Sequence, residues 1–267
     1  MKLRISVIMG IYNCAPTLQE ALDSLYAQTY QGFKIILCDD GSTDDTLKIA
    51  EENARLHDNV LVIRNERNMG LNYTLNHCLK YADTEYIARM DGDDFSHSTR
   101  FERQIQFLDA NQDYAIVSNP MVFFDENGEF MRGRVSAGEP LKTVFNYGSP
   151  FCHAPCMVRS EAYKMVGGYT EDKKLLRMED YNLWMKMYAS GYKGYNLPDY
   201  LYYMRDDKNA INRRTLKARI NGIYAHWLAY KVLDLSFLLF CKYAFFNVVL
   251  GVMPKGLYKV LRRLHYR

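Results

Sequence analysis

The first hundred residues alternate between short apolar runs and segments with helical spacing, which limits the possible folds more than any other feature of the sequence. The runs are typical of strands buried in a parallel sheet, and they span residues 5–9, 33–38, 60–63 and 86–90. Between the first two runs, Pro16 precedes leucines at 18, 22 and 25, a helical stripe with proline in its first turn. Strands separated by helices predict an α/β fold with a doubly wound, mixed but mainly parallel sheet.

Two clusters of acidic residues follow strands in this pattern. The second strand ends in the cluster Asp39–Asp45, and the fourth strand runs into the cluster Asp91–Asp94. Ligands of doubly wound sheets bind beyond the carboxyl ends of the strands, so we expect both clusters to face one crevice. Ser42 or Thr43 is predicted to cap the helix that follows the first cluster.

Beyond residue 100 the elements become shorter and less regular. Residues 115–118 predict a strand, and residues 121–135 predict a hairpin that turns at Asp125-Glu126-Asn127-Gly128. A helix is predicted from Glu179 to Ser190, and it begins with the adjacent carboxylates of Glu179 and Asp180.

Residues 205–267 differ from the rest of the chain in charge. They hold 13 Lys and Arg against 3 Asp and Glu, whereas the remaining residues hold 21 against 28. The formal net charge of +3 is too small to predict a nucleic-acid partner, but its distribution predicts an acidic body with a basic end. We therefore divide the chain into a sheet domain, residues 1–204, and a helical appendage, residues 205–267.

The appendage contains an aromatic-rich apolar stretch from Val232 to Met253. Asp234, Lys242 and Asn247 interrupt it, so a membrane-spanning helix is not expected. A core helix and an amphipathic helix lying in a membrane interface both remain open, and the basic residues that follow favour the interface. These residues are Lys255, Lys259, Arg262, Arg263 and Arg267.

The beginning of the chain and its cysteines predict a reducing compartment. Residues 1–4 lead directly into a strand, so we expect no signal peptide. The six cysteines are scattered among apolar residues, as buried thiols usually are. Cys152 and Cys156 flank His153, but a zinc site is not expected because no second pair of ligands follows.

Asp91 and Asp93 form an Asp-x-Asp pair after a buried strand, and such a pair can share one divalent cation. Carboxylate oxygens suit Mg²⁺ or Mn²⁺, and the remaining positions around the ion stay open to phosphate oxygens. A solvated turn is the simpler alternative for a short acidic motif of this kind. Phosphate-binding glycine motifs are absent, since neither G-x-G-x-x-G nor G-x-x-x-x-G-K follows the first strand.

Taken together, several motifs in the right order resemble the family 2 glycosyltransferases. The resemblance covers about residues 3–205. It rests on residues 6–13, 27–30, 38–44, 88–94, 100–104, His153, Arg159, 167–169 and 179–184. It implies a GT-A fold and transfer of a sugar from a nucleotide-sugar with inversion. The run Ala88–Asp91 and the basic C-terminal region resemble the subgroup that builds bacterial O-antigen and exopolysaccharide repeat units on undecaprenyl carriers.

The resemblance implies a donor site at the strand ends. Tyr12, with Asn13 beside it, would contact the uracil face, and Asp39 and Asp40 would hold the uracil or ribose. Asp93 would be the more direct ligand of Mn²⁺ or Mg²⁺, with Asp91 nearer the ribose and sugar.

On the acceptor side, the resemblance implies that Asp180 is the general base, with Glu179 as its neighbour. An inverting transfer needs one carboxylate to take the proton of the attacking hydroxyl and a cation for the departing diphosphate. An ordinary acidic first turn of a helix remains the alternative for this pair. His153 and Trp184 are candidate acceptor contacts, although a satisfied core histidine is an open alternative for His153.

Three departures from the family pattern affect these expectations. Gly10 stands where a Pro or another small residue is usual, and Ala154 replaces a common Pro after His153. Many relatives carry a histidine shortly after the position of Arg205, where it helps to hold the diphosphate or metal. Here Arg205 is expected to take over part of that neutralisation, because a guanidinium suits bidentate phosphate contact.

By likeness to the family, we expect transfer of glucose or galactose from a UDP-sugar to an N-acetylhexosamine on a polyprenyl diphosphate, with a β linkage. The enzyme would lie peripherally on the cytoplasmic face of the bacterial inner membrane. Two rival functions stay open: a nucleotide-sugar-binding protein without turnover, and a metal-dependent phosphatase or nucleotidyltransferase.

Overall fold

The computed structural model describes residues 2–133, 135–205 and 215–252. Within them, the strands are β1 Ile5–Ile11, β2 Phe33–Asp39, β3 Val60–Arg64, β4 Tyr86–Arg89, β5 Phe95–Ser96, β6 Tyr114–Ser118, β7 Met121–Asp125, β8 Gly128–Arg132, β9 Met157–Arg159, β10 Lys193–Asn196 and β11 Tyr202–Arg205. The α-helices are α1 Ala15–Tyr26, α2 Thr46–Leu56, α3 Leu71–Leu79, α4 Arg100–Ala110, α5 Ser160–Val166, α6 Glu179–Ala189, α7 Leu216–Leu233 and α8 Phe237–Val252.

The main sheet has seven strands in the order β10-β6-β9-β4-β1-β2-β3. β1 lies parallel to both β2 and β4, and β9 runs antiparallel between β4 and β6. This topology confirms the predicted doubly wound, mainly parallel sheet. Because β4, β1 and β2 are adjacent and parallel, the loops that follow them leave from the same edge.

Helices cover both faces of this sheet, so the core has two layers. Side chains alternate along β1: Val7 and Met9 pack against the side of α1, α2 and α4, whereas Ile8 packs on the side of α3, α5 and α6. All three side chains are completely buried. The unbroken apolar runs of the sequence therefore reflect strands that are buried on both faces.

A smaller sheet of four strands, in the order β5-β11-β7-β8, flanks the carboxyl edge of the main sheet. Its β7 and β8 form the predicted hairpin. Strand β11 pairs with β5, directly after the second acidic cluster. The small sheet thus brings Arg205, at the end of β11, next to that cluster.

The start of α2 differs from the expectation. Neither Ser42 nor Thr43 caps the helix, which begins at Thr46. Instead, the Ser42 hydroxyl accepts a hydrogen bond from the amide of Asn13, and the amide of Thr43 donates to the Asn13 side chain. These two residues therefore join the loop after β2 to the loop after β1.

The C-terminal stretch is two helices rather than one. Asp234 adopts a left-handed conformation with φ of 54°, which ends α7 at Leu233 and lets α8 begin at Phe237. α7 packs on α6, and α8 packs on α7. In the described residues no helix combines the length and apolar character needed to cross a bilayer. The basic residues at 255–267 lie outside the described part, and the division at residue 205 stays a prediction.

The cysteines are all free thiols, and three of them, Cys38, Cys78 and Cys156, are buried. Cys14 and Cys152 are partly buried. Cys241 is exposed on α8, so the expectation of a buried thiol was wrong there.

Candidate active site

A cavity of about 370 Å³ opens at the carboxyl edge of β1 and β4. Tyr12 and Asn13 line one side, and Asp91, Asp93 and Arg205 line the other. The Tyr12 ring is 46% exposed, so a flat apolar face is open to a ligand. An aromatic platform opposite carboxylates and a guanidinium suits a base attached to phosphates.

The loop after β1 is held in an unusual backbone conformation. Asn13 has a φ of 48°, in the left-handed region that asparagine tolerates better than most residues. Its side chain accepts a hydrogen bond from the amide of Thr43 at 2.9 Å. Asn13 therefore lines the cavity while it fixes the Tyr12 loop against the first acidic cluster.

The second acidic cluster concentrates three carboxylates. Ligand atoms of Asp91, Asp93 and Asp94 lie within 4.8 Å of one another. Asp93 is exposed to the cavity, whereas Asp94 is 3% exposed. Removal of water and the charge of Asp91 raise the pKa of Asp93. A divalent cation would relieve the repulsion among these carboxylates. Their oxygen atoms are ligands that suit Mg²⁺ or Mn²⁺.

Asp94 connects this cluster to β11. One of its oxygens accepts a hydrogen bond from the amide of Arg205 at 2.9 Å. Burial raises its pKa well above the usual carboxyl range. The hydroxyl of Tyr202 accepts from the amide of Asp91 at 3.1 Å. The acidic loop is therefore anchored to the small sheet through the Asp94 carboxylate and the Asp91 amide.

Arg205 lines the first cavity beside Asp93, and its role at a diphosphate stays a prediction. Its side-chain Nε donates to the carbonyl of Asp93 at 3.0 Å, and its guanidinium lies over the ring of Phe124 at 4.6 Å. It also forms an ion pair with Glu20, which is exposed. A phosphate could replace this exposed carboxylate as the partner of Arg205, since exposed ion pairs contribute little.

A second cavity, of about 660 Å³, adjoins the first at Asp91. Arg89, Glu179 and Asp180 line it together with Asp91. Arg89 is buried and forms an ion pair with Asp91, which holds that carboxylate in place. Asp91 is therefore the residue that lines both cavities.

Glu179 and Asp180 stand at the start of α6 but have different surroundings. Glu179 accepts a hydrogen bond from the amide of Arg177 at 2.8 Å, and Arg177 has a φ of 67°. Burial raises the pKa of Asp180, although the Tyr181 amide and the Ser149 hydroxyl favour its ionised form. A carboxylate with a raised pKa is a better proton acceptor, so Asp180 suits a general base. Burial raises the pKa of Glu179 as well, so its hydrogen bond from the Arg177 amide, and not its pKa, is what suits it to a positioning role.

His153 and Trp184 have unequal access to the second cavity. His153 lines it, and its Nε2 lies 2.8 Å from the hydroxyl of Tyr169. Burial keeps its pKa well below the usual value, so the ring is neutral at pH 7. Trp184 is completely buried and packs against His153 and Phe151. The predicted contact of Trp184 with an acceptor is therefore wrong, because its ring supports the cavity wall from behind.

Asp39 and Asp40 are both buried and engaged with neighbouring backbone. Asp40 accepts hydrogen bonds of 2.8 Å and 2.9 Å from the amides of Met69 and Gly70, so it holds the turn before α3. Asp39 accepts only longer bonds, of 3.2 Å and 3.3 Å, from the amide of Ser42. Neither is among the lining residues of the two cavities, and their contact with uracil or ribose stays a prediction.

Arg89 and Arg177 are site residues that the sequence reasoning missed. Arg89 ends β4, and Asp91 follows it by two residues, so a cation this close to the Asp-x-Asp pair was a usable signal. No comparable signal existed for Arg177, because its place at the second cavity depends on a left-handed turn before α6.

Comparison with known proteins identifies the family of the chain. The model of the family described as "Glycosyl transferase family 2" matches residues 6–167. The protein named EpsE of Bacillus subtilis, whose name describes a glycosyltransferase, is 42% identical over 82% of this chain and 79% of its own.

Two relatives from Escherichia coli have names that state a reaction. A UDP-Gal:alpha-D-GlcNAc-diphosphoundecaprenol beta-1,3-galactosyltransferase is 30% identical over 88% of this chain and 86% of its own. A UDP-Glc:alpha-D-GlcNAc-diphosphoundecaprenol beta-1,3-glucosyltransferase, WfaP, is 29% identical over 83% and 88%.

Solved structures share the fold. S. aureus TarS 1–349 in complex with UDP has a TM-score of 0.70 at 22% identity, over 91% of this chain and 70% of that chain. For a longer TarS chain the coverage is 39% of its length. The mannosyltransferase PcManGT from Pyrobaculum calidifontis, in complex with GDP-Man and Mn²⁺, has a TM-score of 0.66 at 18% identity, over 99% and 80%. With a family match over more than half of its length and a relative at 42% identity, the chain belongs to glycosyl transferase family 2.

Proposed function

We propose that the chain is an inverting glycosyltransferase that moves a hexose from a UDP-sugar to an N-acetylhexosamine carried on a polyprenyl diphosphate. The observation that carries the proposal is the position of Asp91 between two cavities. One cavity offers an aromatic face and charges suited to a nucleoside diphosphate. The other offers a carboxylate suited to a general base.

In the proposed reaction, the smaller cavity holds the donor. The uracil lies against the exposed ring of Tyr12, and Asp39, whose hydrogen bonds are the longer ones, is the carboxylate more able to accept from the base or ribose. Arg205 binds the diphosphate. A Mg²⁺ or Mn²⁺ ion held by Asp93 and Asp91 would add positive charge beside the departing diphosphate.

The larger cavity holds the acceptor sugar. Asp180 takes the proton of the acceptor hydroxyl as its oxygen forms a bond to the anomeric carbon. The bond from that carbon to the diphosphate breaks, and UDP leaves with both bonding electrons. Attack from the face opposite the leaving group inverts the configuration, and the proton stays on Asp180 until solvent removes it.

Glucose or galactose is the proposed sugar, and a β linkage the proposed product. The support comes from the two Escherichia coli relatives, whose names give UDP-Gal and UDP-Glc as donors and a β-1,3 linkage. Their acceptors are lipid-linked, which supports a peripheral enzyme on the cytoplasmic face of the bacterial inner membrane. O-antigen or exopolysaccharide synthesis is the proposed context.

The test is a transfer assay on the purified full chain with Mn²⁺, a panel of UDP-sugars and a synthetic N-acetylhexosamine diphosphate lipid. Mass spectrometry should find an acceptor heavier by one hexose, and a chelator should abolish the product. Sugar or phosphate released equally well without acceptor would instead indicate a hydrolase. UDP-sugar binding without any product from this acceptor would contradict the proposed reaction.

A further inference from the structure

The outward side of α8 is apolar along most of its described length. Exposed residues recur along two neighbouring rows of the helix, and we define them as the α8 stripe: Phe237, Leu238, Lys242, Phe245, Phe246 and Val248. Leu238 is 77% exposed and Phe245 66%. Surface helices normally turn polar side chains to water, so this stripe has the character of a contact surface.

The opposite side of α8 is fixed by an aromatic stack. The ring of Tyr243 lies 3.5 Å from that of His226 on α7, and His226 lies 4.4 Å from Tyr181 on α6. His226 is 4% exposed, so this stack is part of the core. Turning the α8 stripe inward would break it, and the stripe therefore faces out in the folded protein.

Exposed apolar side chains are concentrated in these two helices. Of the twenty large apolar residues that are exposed in the described chain, nine lie between Leu216 and Val248, and the others are scattered over the remaining surface. Trp227 on α7 is among the nine, and the ammonium of Lys231 lies 4.1 Å from the centre of its ring. An aromatic ring beside a lysine is the pairing that membrane interfaces favour.

The charge of the region identifies what could cover the stripe. No Asp or Glu occurs after Asp234, whereas the same part of the sequence has six basic residues. They are Lys242, Lys255, Lys259, Arg262, Arg263 and Arg267. Exposed aromatic residues in a part of the sequence with an excess of positive charge are complementary to an anionic lipid bilayer.

We propose that the α8 stripe docks on a bilayer that contains anionic lipids. The phenylalanine and leucine side chains enter the interface, and Lys242 contacts lipid phosphates. The purpose of this docking rests on the proposed function, because a lipid-linked acceptor must be reached at a membrane. The docking itself does not depend on that reaction. The α7 helix connects the two regions, because Asn221 donates a hydrogen bond of 3.1 Å to the carbonyl of Leu176, which lines the larger cavity.

The test is sedimentation of the full chain with vesicles, without donor or acceptor. We expect binding to vesicles of phosphatidylcholine and phosphatidylglycerol, and much weaker binding to phosphatidylcholine alone. Leu238→Gln should weaken binding by about tenfold, the loss expected when one aliphatic side chain no longer enters an apolar phase. Leu56→Gln is the matched control, because Leu56 is 78% exposed on α2 and should be without effect.

Combining Phe245→Gln and Phe246→Gln with Leu238→Gln should abolish vesicle binding while the far-ultraviolet circular dichroism stays unchanged. Unchanged binding of this folded triple variant would overturn the proposal. The proposal would also be overturned if the full chain is a dimer without lipid and the triple variant is a monomer. The α8 stripe would then be a subunit interface. Vesicle binding by a chain that transfers no sugar would instead refute the proposed function and leave the docking surface standing.

Discussion

Asp180→Asn tests the assignment of the general base. Asparagine has nearly the same shape, and its side-chain oxygen can still accept from the Tyr181 amide. It cannot take a proton at neutral pH. General-base catalysis contributes about 10²- to 10⁴-fold, which corresponds to about 2.7–5.4 kcal/mol of activation free energy.

The structure favours the larger part of that range. Two other carboxylates line the larger cavity, but Asp91 is paired with Arg89, and Glu179 accepts the amide of Arg177. We expect neither to replace Asp180 in the proposed reaction, so kcat should fall by about 10³-fold or more.

Stability should change little, which separates a loss of catalysis from unfolding. The variant loses a negative charge at the start of α6, worth about 0.3–1 kcal/mol. It also loses the unfavourable burial of that charge, which is what raises the pKa of Asp180. These effects oppose each other, so the urea midpoint should stay close to that of the unchanged chain.

The assay compares kcat in the lipid-acceptor reaction with the dissociation constant of UDP from calorimetry. UDP affinity should be preserved, because Asp180 lines the other cavity. Glu179→Gln is the matched control and should lose less than about tenfold, since the amide oxygen keeps the bond to Arg177. Undiminished turnover in Asp180→Asn, or an equal loss in both variants, would refute the reasoning.

Three further predictions concern pH, the diphosphate and packing. Because Asp180 acts only when ionised and its pKa is raised above the usual 3.8, kcat should fall as pH drops through that raised value; a profile flat down to the ordinary carboxyl range would contradict this. Arg205→Ala should raise the KM for UDP-sugar by about 10- to 100-fold in initial-rate assays, because a charged hydrogen bond is lost. Arg103→Ala, which removes an exposed ion pair with Asp199, is the control, and an equal rise in KM there would indicate a nonspecific effect. Gly194→Ala places a Cβ 2.3 Å from Cζ of Phe151, so urea unfolding should show a loss of about 1–3 kcal/mol that is absent in Gly148→Ala, where nothing lies within 4 Å.

Local patterns were enough to predict the sheet and the places where chemistry collects. Strands buried on both faces leave continuous apolar runs, so β1 and β2 could be recognised from residues 5–9 and 33–38. The rule that ligands bind beyond strand ends then placed Asp91 and Asp93 at a crevice before any coordinates were known. These features depend on neighbours in sequence or on a topology with few alternatives.

What could not be predicted depends on distant contacts. The carboxylate of Asp40 reaches the turn at Met69 and Gly70, about thirty residues away, and no local pattern encodes that distance. Trp184 lies in α6 four residues after Asp180, but its side chain is completely buried in the core. Asp180, in the first turn of the same helix, lines the larger cavity. Asp234 ends α7 by adopting a left-handed conformation, which its residue type permits but does not require, and the aromatic residues after it form the separate helix α8.

The most direct test of the account is a crystal structure of the chain with UDP and Mn²⁺. We expect the uracil against Tyr12 and the diphosphate between Asp93 and Arg205, in the smaller cavity. The nucleotide should not contact Asp180, which lines the larger cavity on the other side of Asp91. UDP bound in the larger cavity beside Asp180, or at a site that includes neither Asp93 nor Arg205, would contradict the assignment of donor and acceptor sites.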